Sequence, residues 1–395
     1  MPGPLEGIKV LSFARALAGP YASMLLGDLG AEVIKIEDPR TGDTARRQGP
    51  FIEGISSYFL SVNRGQKSIT LDLRHERARK IVFDLVKKVD ILVENFRPGV
   101  MARLGFGYEE ISGQNSRIIY ASLSGFGQTG PYAANPAFDM IAQGMGGTVS
   151  ITGEVGRPPV RVGFSIGDIG AALFTAVAIL AALHEREKSG KGQWIDVAMV
   201  DSQVALCENA CARYFATGEV PQPLGSRHPL MTPFQIFATK DGSIVLITVR
   251  EDDWKKFCTI SGREDLRTDR RFQSQTDRIA HYSEFEALMN DLLKTKTTQE
   301  WLDLLESAGI MCGPVNNIAQ VVEDRHIQQR GMIVEVDHPR VGKLKVVGTP
   351  MKFSRTPCRI EKASPDLSEQ TKEILNGLLG MSVEEMDALK KQKVI

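Results

Sequence analysis

Asp168 stands among small residues in the run Val162-Gly163-Phe164-Ser165-Ile166-Gly167-Asp168-Ile169-Gly170, directly ahead of a long apolar segment. Small neighbours let another molecule approach the carboxylate closely, and a helix starting here would set its positive end beside the negative charge. Those are the needs of a carboxylate nucleophile. An aspartate at a helix entrance also caps free N–H groups, so the segment alone leaves both roles open.

Other chemistry-bearing residues gather in the amino-terminal half. Arg15, Arg40, Arg46, Arg47, Arg64, Lys67, Arg74, Arg97 and Arg103 lie there, several beside expected strand ends or helix starts, where alternating strand–helix folds hold phosphates. Taken singly, each arginine reads as part of a solvated charged face. Asn95, Phe96 and Arg97 put an amide, an aromatic face and a guanidinium in consecutive positions, able to flank an adenine ring and a phosphate. The Pro98-Gly99 that follows also marks an ordinary turn. None of the six histidines has metal-site or triad spacing. His228, in Gly225-Ser226-Arg227-His228-Pro229, is the one placed to meet a substrate, on a stretch expected to join two domains.

The elements that must carry these residues follow from length and pattern. A chain of 395 residues is too long for one compact core and predicts two domains. Its 48 basic and 48 acidic residues cancel, so no overall field recruits nucleic acid or an acidic membrane. Cys207, Cys211, Cys258, Cys312 and Cys358 are odd in number and lack metal-ligand spacing, pointing to free thiols and a cytoplasmic location. No basic-then-apolar leader opens the sequence. The longest apolar run, 171–183, is shorter than the ~20 residues of a bilayer span and reads as a buried helix.

A strand over 8–13, a helix entered at Ala18-Gly19-Pro20 and stopped at Gly30, and a strand over 32–37 make a β-α-β unit. Short strands at 68–73, 91–93, 118–122 and 194–199, with an amphipathic helix over 76–88, predict a parallel sheet. Glu37 ends the second strand where a ribose-binding acid often stands. The loop before the helix lacks the three glycines that admit a pyrophosphate, so a nicotinamide cofactor is not expected. A Gly- and Pro-rich stretch near 217–229 reads as a linker. Beyond it, runs at 235–238 and 244–249 flank Lys240-Asp241-Gly242, a hairpin signal, and helices near 254–260, 282–294 and 298–308 make an α+β domain. Asp366…Glu369 and Ser382…Glu385 are capping-box patterns, each predicting a short helix.

Taken together, several landmarks in order resemble the family III CoA-transferases, which include formyl-CoA:oxalate and carnitine CoA-transferases and the related α-methylacyl-CoA racemases. They are Pro4-Leu5-Glu6-Gly7-Ile8-Lys9-Val10, Ala18-Gly19-Pro20, Leu29-Gly30-Ala31-Glu32-Val33-Ile34-Lys35-Ile36-Glu37, Val93-Glu94-Asn95-Phe96-Arg97-Pro98-Gly99, Gly125-Phe126-Gly127, the Asp168 run and Lys191-Gly192-Gln193. The resemblance covers nearly the whole chain. It implies an α/β fold with a Rossmann-like large domain built from both chain ends, 1–200 and 326–395. A linker over 201–228, a smaller α+β domain over 229–325 and an interlocked homodimer complete that expectation.

The resemblance further implies coenzyme A as substrate and product, acyl-CoA and small carboxylic acids as partners, no metal, no NAD, and neither nucleic acid nor membrane. It places the nucleophile on Asp168. CoA contacts fall on Arg15, Ala16, Leu17 and Ala18, on Leu71, Leu73 and Arg74, on Asn95, Phe96 and Arg97, and on Arg103, Leu104 and Phe138. Asp139 falls near the reacting centre. Many relatives carry Arg after the acid matching Glu37; here Asp38 stands there, and Arg40 is the expected substitute at the phosphate.

The implied chemistry passes through an aspartyl anhydride and an aspartyl-CoA thioester, with backbone N–H groups near Gly167 to Gly170 supporting the oxyanion. The racemase branch needs a histidine before the acid; Phe138 cannot accept a proton. An NAD-linked oxidoreductase and a non-catalytic binding protein are the readings from other classes. Formyl-CoA:oxalate enzymes carry a glycine run where this chain has Ser226-Arg227-His228-Pro229. That bulkier, cationic loop favours a larger acid contacted by Arg227 and His228, a dicarboxylate such as succinate whose second carboxylate pairs with Arg227.

Overall fold

The computed structural model describes residues 2–395. Strands β1 (Lys9–Ser12), β2 (Glu32–Glu37), β3 (Lys67–Thr70), β4 (Ile91–Glu94), β5 (Ile119–Ser124) and β6 (Trp194–Ala198) form one sheet. Their order is β3-β2-β1-β4-β5-β6 and every pairing is parallel. A parallel sheet needs cover on both faces, which is why β4 and β5 are buried along their whole length. On one face Leu11, Ile34, Ile69, Leu92 and Tyr120 pack with helix 76–86 and with Ile374, Leu375, Met386 and Leu389 from the end of the chain. On the other, Val10, Val33, Ile91, Val93 and Ile119 pack against Leu26, Ile179 and Leu183. The order reverses between β1 and β4, the place where such sheets leave a crevice at their carboxyl ends.

The chain divides into two compact units, one holding residues up to Val149, Arg161–Glu219 and Arg325–Ile395, the other Ser150–Val160 and Val220–Asp324. The carboxyl-terminal return is hydrogen-bonded to the sheet: Gln370 donates its N–H to the Ser68 carbonyl at 3.0 Å, and Asp72 to that of Val394 at 2.8 Å. The second unit holds an antiparallel sheet of Phe234–Ala238, Ser243–Ile247 and Met311–Pro314 over a core of Trp254, Phe257, Phe285 and Trp301.

Three expectations need correction. Residues 201–217 are not linker: helices Met199–Leu206 and Glu208–Thr217 run through them until Gly218, at φ +71°, stops the chain. Asp366…Glu369 opens no helix. Glu369 accepts the Asp366 N–H, but the Asp366 carboxylate takes Arg340 instead of capping, and the helix begins at Thr371. The long apolar helix spans Ile166–Ser189, long and apolar enough to cross a membrane by length and composition alone, and half of its apolar stretch is buried. It is not buried all round. Gly170, Ala171, Ala172, Thr175 and Ile179 face inward, whereas Leu173, Phe174, Val177 and Leu180 are exposed.

Candidate active site

Helix α1 is Ala18–Asp28, α2 is Ser57–Val62, α3 is Glu76–Val86, α4 is Asp139–Met145 and α5 is Ile166–Ser189. Asp168 lies within the first turn of α5, behind the N-cap residue Ser165, and does not cap it. The cap comes from another helix: Asp139, the first residue of α4, accepts the Gly167 N–H on Oδ1 at 2.8 Å. Its Oδ2 accepts from the Gln143 amide at 2.8 Å, and buried Gln143 in turn accepts the Val162 N–H at 3.0 Å. A Cβ on Gly167 would come within 2.9 Å of Asp139 Oδ1, so glycine is what lets the two helix starts close on each other.

With its helix capped by a neighbour, the Asp168 carboxylate has no hydrogen bond or ion pair among the described residues. Burial first, then the charge of Asp139, pushes its pKa up to about 7. Tyr58 in α2 was not singled out in the sequence. Its phenol is pushed up to about 12 by burial and by the charges of Asp168, Asp43 and Asp139, which leaves it a neutral O–H donor. A tyrosine in a surface-like stretch carries no spacing signal; only the tertiary fold brings it to these acids.

The β1–α1 loop reaches the same place. Asn95, leaving β4, accepts the Arg15 N–H and donates to the Arg15 carbonyl, both at 2.8 Å, and the Arg15 guanidinium lies 5.1 Å above the Phe96 ring. Ala16 has φ +62°, and its N–H goes to Asp43 Oδ1 at 2.9 Å. Ala18 packs in one apolar cluster with Ala142 of α4 and Ala171 of α5, which brings the loop exit against the turn that carries Asp168.

Residues 5–371 match CoA-transferase family III. The chain belongs to this family. It is 40% identical over 370 residues, 93% of the chain and 94% of the relative, to acetyl-CoA:oxalate CoA-transferase of Acetobacter aceti. It is 37% identical over 377 residues, 95% of the chain and 86% of the relative, to succinyl-CoA:glutarate CoA-transferase of Mus musculus. A CAIB/BAIF family protein from Brucella suis, known as a crystal structure, superposes with a TM-score of 0.87 at 36% identity, covering 96% of this chain and 100% of that one.

The remaining expected contacts of this transferase distribute unevenly. Arg40 and Arg74 share two acids: Arg40 bonds Asp38 at 3.2 Å and lies 4.0 Å from Asp72, while Arg74 bonds Asp72 at 3.3 Å and lies 3.9 Å from Asp38. Despite slight burial, Arg40 and backbone donors hold the Asp38 carboxyl down to about 2. Arg97 and Arg103 are exposed, and so is Phe138. Leu73, Phe96 and Leu104 lie half-buried against the core that encloses Leu71. The side chains of Leu17, Ala18 and Leu71 are buried, so these three have only backbone to offer a ligand.

Glu37 is not free for a ribose. Its carboxylate accepts from Arg46 twice at 2.7 Å, from Ser68 at 2.6 Å and from the Asp43 N–H at 2.8 Å. Arg227 and His228 belong to the second unit. The Arg227 guanidinium lies 3.9 Å over the Tyr282 ring and has no anionic partner among the described residues. His228 stacks on Phe234 at 4.8 Å and accepts the Leu230 N–H at 3.2 Å.

Proposed function

We propose that this transferase moves CoA between a CoA thioester and a free dicarboxylic acid, with Asp168 as the covalent relay. The observation that carries the reading is the Asp168 carboxylate, half-buried, raised toward neutral pH and left without a partner beside Asp139 and Tyr58. A carboxylate kept from hydrogen bonds and partly from water retains the electron density that attack on a thioester carbonyl requires.

Ionised Asp168 adds to the acyl carbonyl, the C–S bond breaks, and CoA leaves as thiolate from a mixed anhydride. The thiolate then attacks the aspartyl carbonyl of the anhydride, expelling the donor acid as its carboxylate and leaving an aspartyl-CoA thioester. The acceptor carboxylate attacks that thioester, CoA is expelled again, and its return to the acceptor's carbonyl frees Asp168. One thioester replaces another, so no external energy source enters. The N–H groups expected near Gly167 to Gly170 are not all available, since Ile166, Gly167 and Ile169 donate to Phe164, Asp139 and Ser165; the Asp168 N–H and the Tyr58 hydroxyl support the negative charge that builds on the carbonyl oxygens. Arg15, Arg40, Arg74, Arg97 and Arg103 take the CoA phosphates, Arg40 and Arg74 acting together where Asp38 replaces a cation, and Phe96 meets the adenine.

A dicarboxylate is favoured by Arg227, a stacked cation with no internal anion, whose in-plane N–H groups suit a second carboxylate. The acceptors named for the two relatives above, oxalate and glutarate, are both dicarboxylates. The exposed apolar stripe Leu173, Phe174, Val177 and Leu180 on α5 supports a homodimer that covers it. The test is covalent trapping: incubate the protein with succinyl-CoA, quench with hydroxylamine and map the modified peptide by mass spectrometry. Modification at position 168, absent from Asp168→Ala, is expected. Full turnover with that peptide never modified overturns the reading.

A further inference from the structure

We propose that Lys35 and Asp43 are a positioning pair for the transfer reaction: through Ala14 and Ala16 they fix the β1–α1 loop that faces the thioester. The proposal rests on the reading of Asp168 as nucleophile and of this loop as a CoA contact.

Both side chains are 0% exposed and their charged groups lie 2.8 Å apart. Removing two charges from water costs more than such a pair usually returns in stability, and an apolar pair of similar size would fold as well. Their other contacts say what the charges are for. Lys35 Nζ donates to the Ala14 carbonyl at 2.7 Å, and Asp43 Oδ1 accepts the Ala16 N–H at 2.9 Å. Arg15, between them, is gripped from the opposite side by both ends of the Asn95 amide. Three consecutive residues are therefore pinned from two sides.

Pinning is needed because Ala16 sits at φ +62°, a left-handed conformation that a residue with a Cβ keeps only where its surroundings impose it. The imposed turn points the chain into α1, whose N-cap residue Leu17 supplies no side-chain cap, so the first N–H groups of the helix stay available to a ligand. Asp43 is itself anchored from behind, its N–H on Glu37 and its Oδ1 also accepting the Ala45 N–H at 2.9 Å. The proximity of Asp43 to the catalytic acids registers at Tyr58, which senses the charges of Asp43, Asp168 and Asp139 together.

The test reads KM separately for the acyl-CoA donor and for the acid acceptor in Asp43→Asn and in Lys35→Gln/Asp43→Asn. The single variant sets an amide against a buried ammonium and must distort the loop; the double variant restores a neutral hydrogen-bonded pair. In Asp43→Asn the acyl-CoA KM rises by about tenfold or more while the acceptor KM stays within about twofold, and the second substitution returns the donor KM to within about threefold of the parent. A fall in kcat with both KM values unchanged would mean lost folded protein and overturns the proposal, as does a double variant that melts like the parent without recovering the donor KM. If Asp43→Asn does not purify, Ala16→Val decides: a β-branched residue at this φ must shift the loop, and an unmoved donor KM overturns the proposal equally. Asp168→Ala assayed alongside separates the layers. Turnover that survives it removes the nucleophile reading, whereas its loss together with an unaffected Asp43→Asn removes only the positioning pair.

Discussion

Asp43 is sealed from water and Asp168 is half-buried, and the fold treats the two acids in opposite ways. Asp43 faces Lys35 and two backbone N–H groups; burial pushes its pKa up, but these partners outweigh it and hold it below the usual value. Asp168 has no such partners, and burial with a like charge beside it raises it to about 7. An acid held by a buried cation and by backbone N–H groups is ionised and inert. An acid left unsatisfied costs stability, and it keeps the reactivity that the cost sustains.

The largest expected effect contrasts the two acids directly. Asp43→Asn leaves Lys35 buried and unpaired and should cost about 3 kcal/mol or more in denaturant unfolding. Asp168→Asn should go the other way. The folded-state pKa of Asp168 is raised above the ordinary 3.8, so folding holds its proton more tightly than the unfolded chain does. Stability is thus lost as pH climbs from the ordinary value through about 7, and the loss is complete above it. The substituted protein escapes that loss, so its advantage should be absent near pH 4 and reach roughly 1–2 kcal/mol by pH 8, allowing for partial solvent access. Two losses of similar size, or an Asp168→Asn gain independent of pH, would break the comparison.

A smaller effect sharpens the cause of the Asp168 shift. The proposed attack by Asp168 needs the ionised acid, so kcat/KM should fall on the acid side of about pH 7, tenfold per unit well below it. Asp139→Asn keeps an oxygen for the Gly167 N–H but removes the neighbouring charge. The acid limb should then move down by about one unit, with thermal stability little changed. Burial is the larger cause, so the limb should not return to the range of an exposed aspartate. A limb that stays in place would assign the whole shift to burial.

Much of the fold was legible because parallel strands announce themselves as short apolar runs: Glu32–Glu37 was placed to the residue, and the β-α-β opening within one or two. The same period misleads inside that strand. Alternation puts Lys35 on a face with Glu37, as if both met water, yet one is sealed against Ala14 and the other against Arg46. Asp168 was visible through its small neighbours, but its release from capping was not, because the cap on Gly167 arrives from Asp139, 28 positions before that glycine in the chain. Tyr58 and Asp43 were missed for the same reason. Their roles are defined by what the folded backbone brings to them, and no local spacing encodes it.

The smallest expected effect tests whether the satisfied region is as rigid as its contacts imply. At φ +62° alanine carries a left-handed penalty of about 1–2 kcal/mol, which glycine escapes, whereas glycine adds roughly 0.4–1 kcal/mol of unfolded-chain freedom. Ala16→Gly should therefore stabilise the protein by about 0.5 kcal/mol in calorimetry. If Lys35, Asp43 and Asn95 hold the loop, the added freedom is not expressed in the folded state, and the donor KM should rise no more than about twofold. A large rise in that KM despite the gain in stability would mean that the alanine methyl, rather than the buried pair, keeps the loop in place. The contrast between a clamped acid and an idle one would then reduce to the idle one alone.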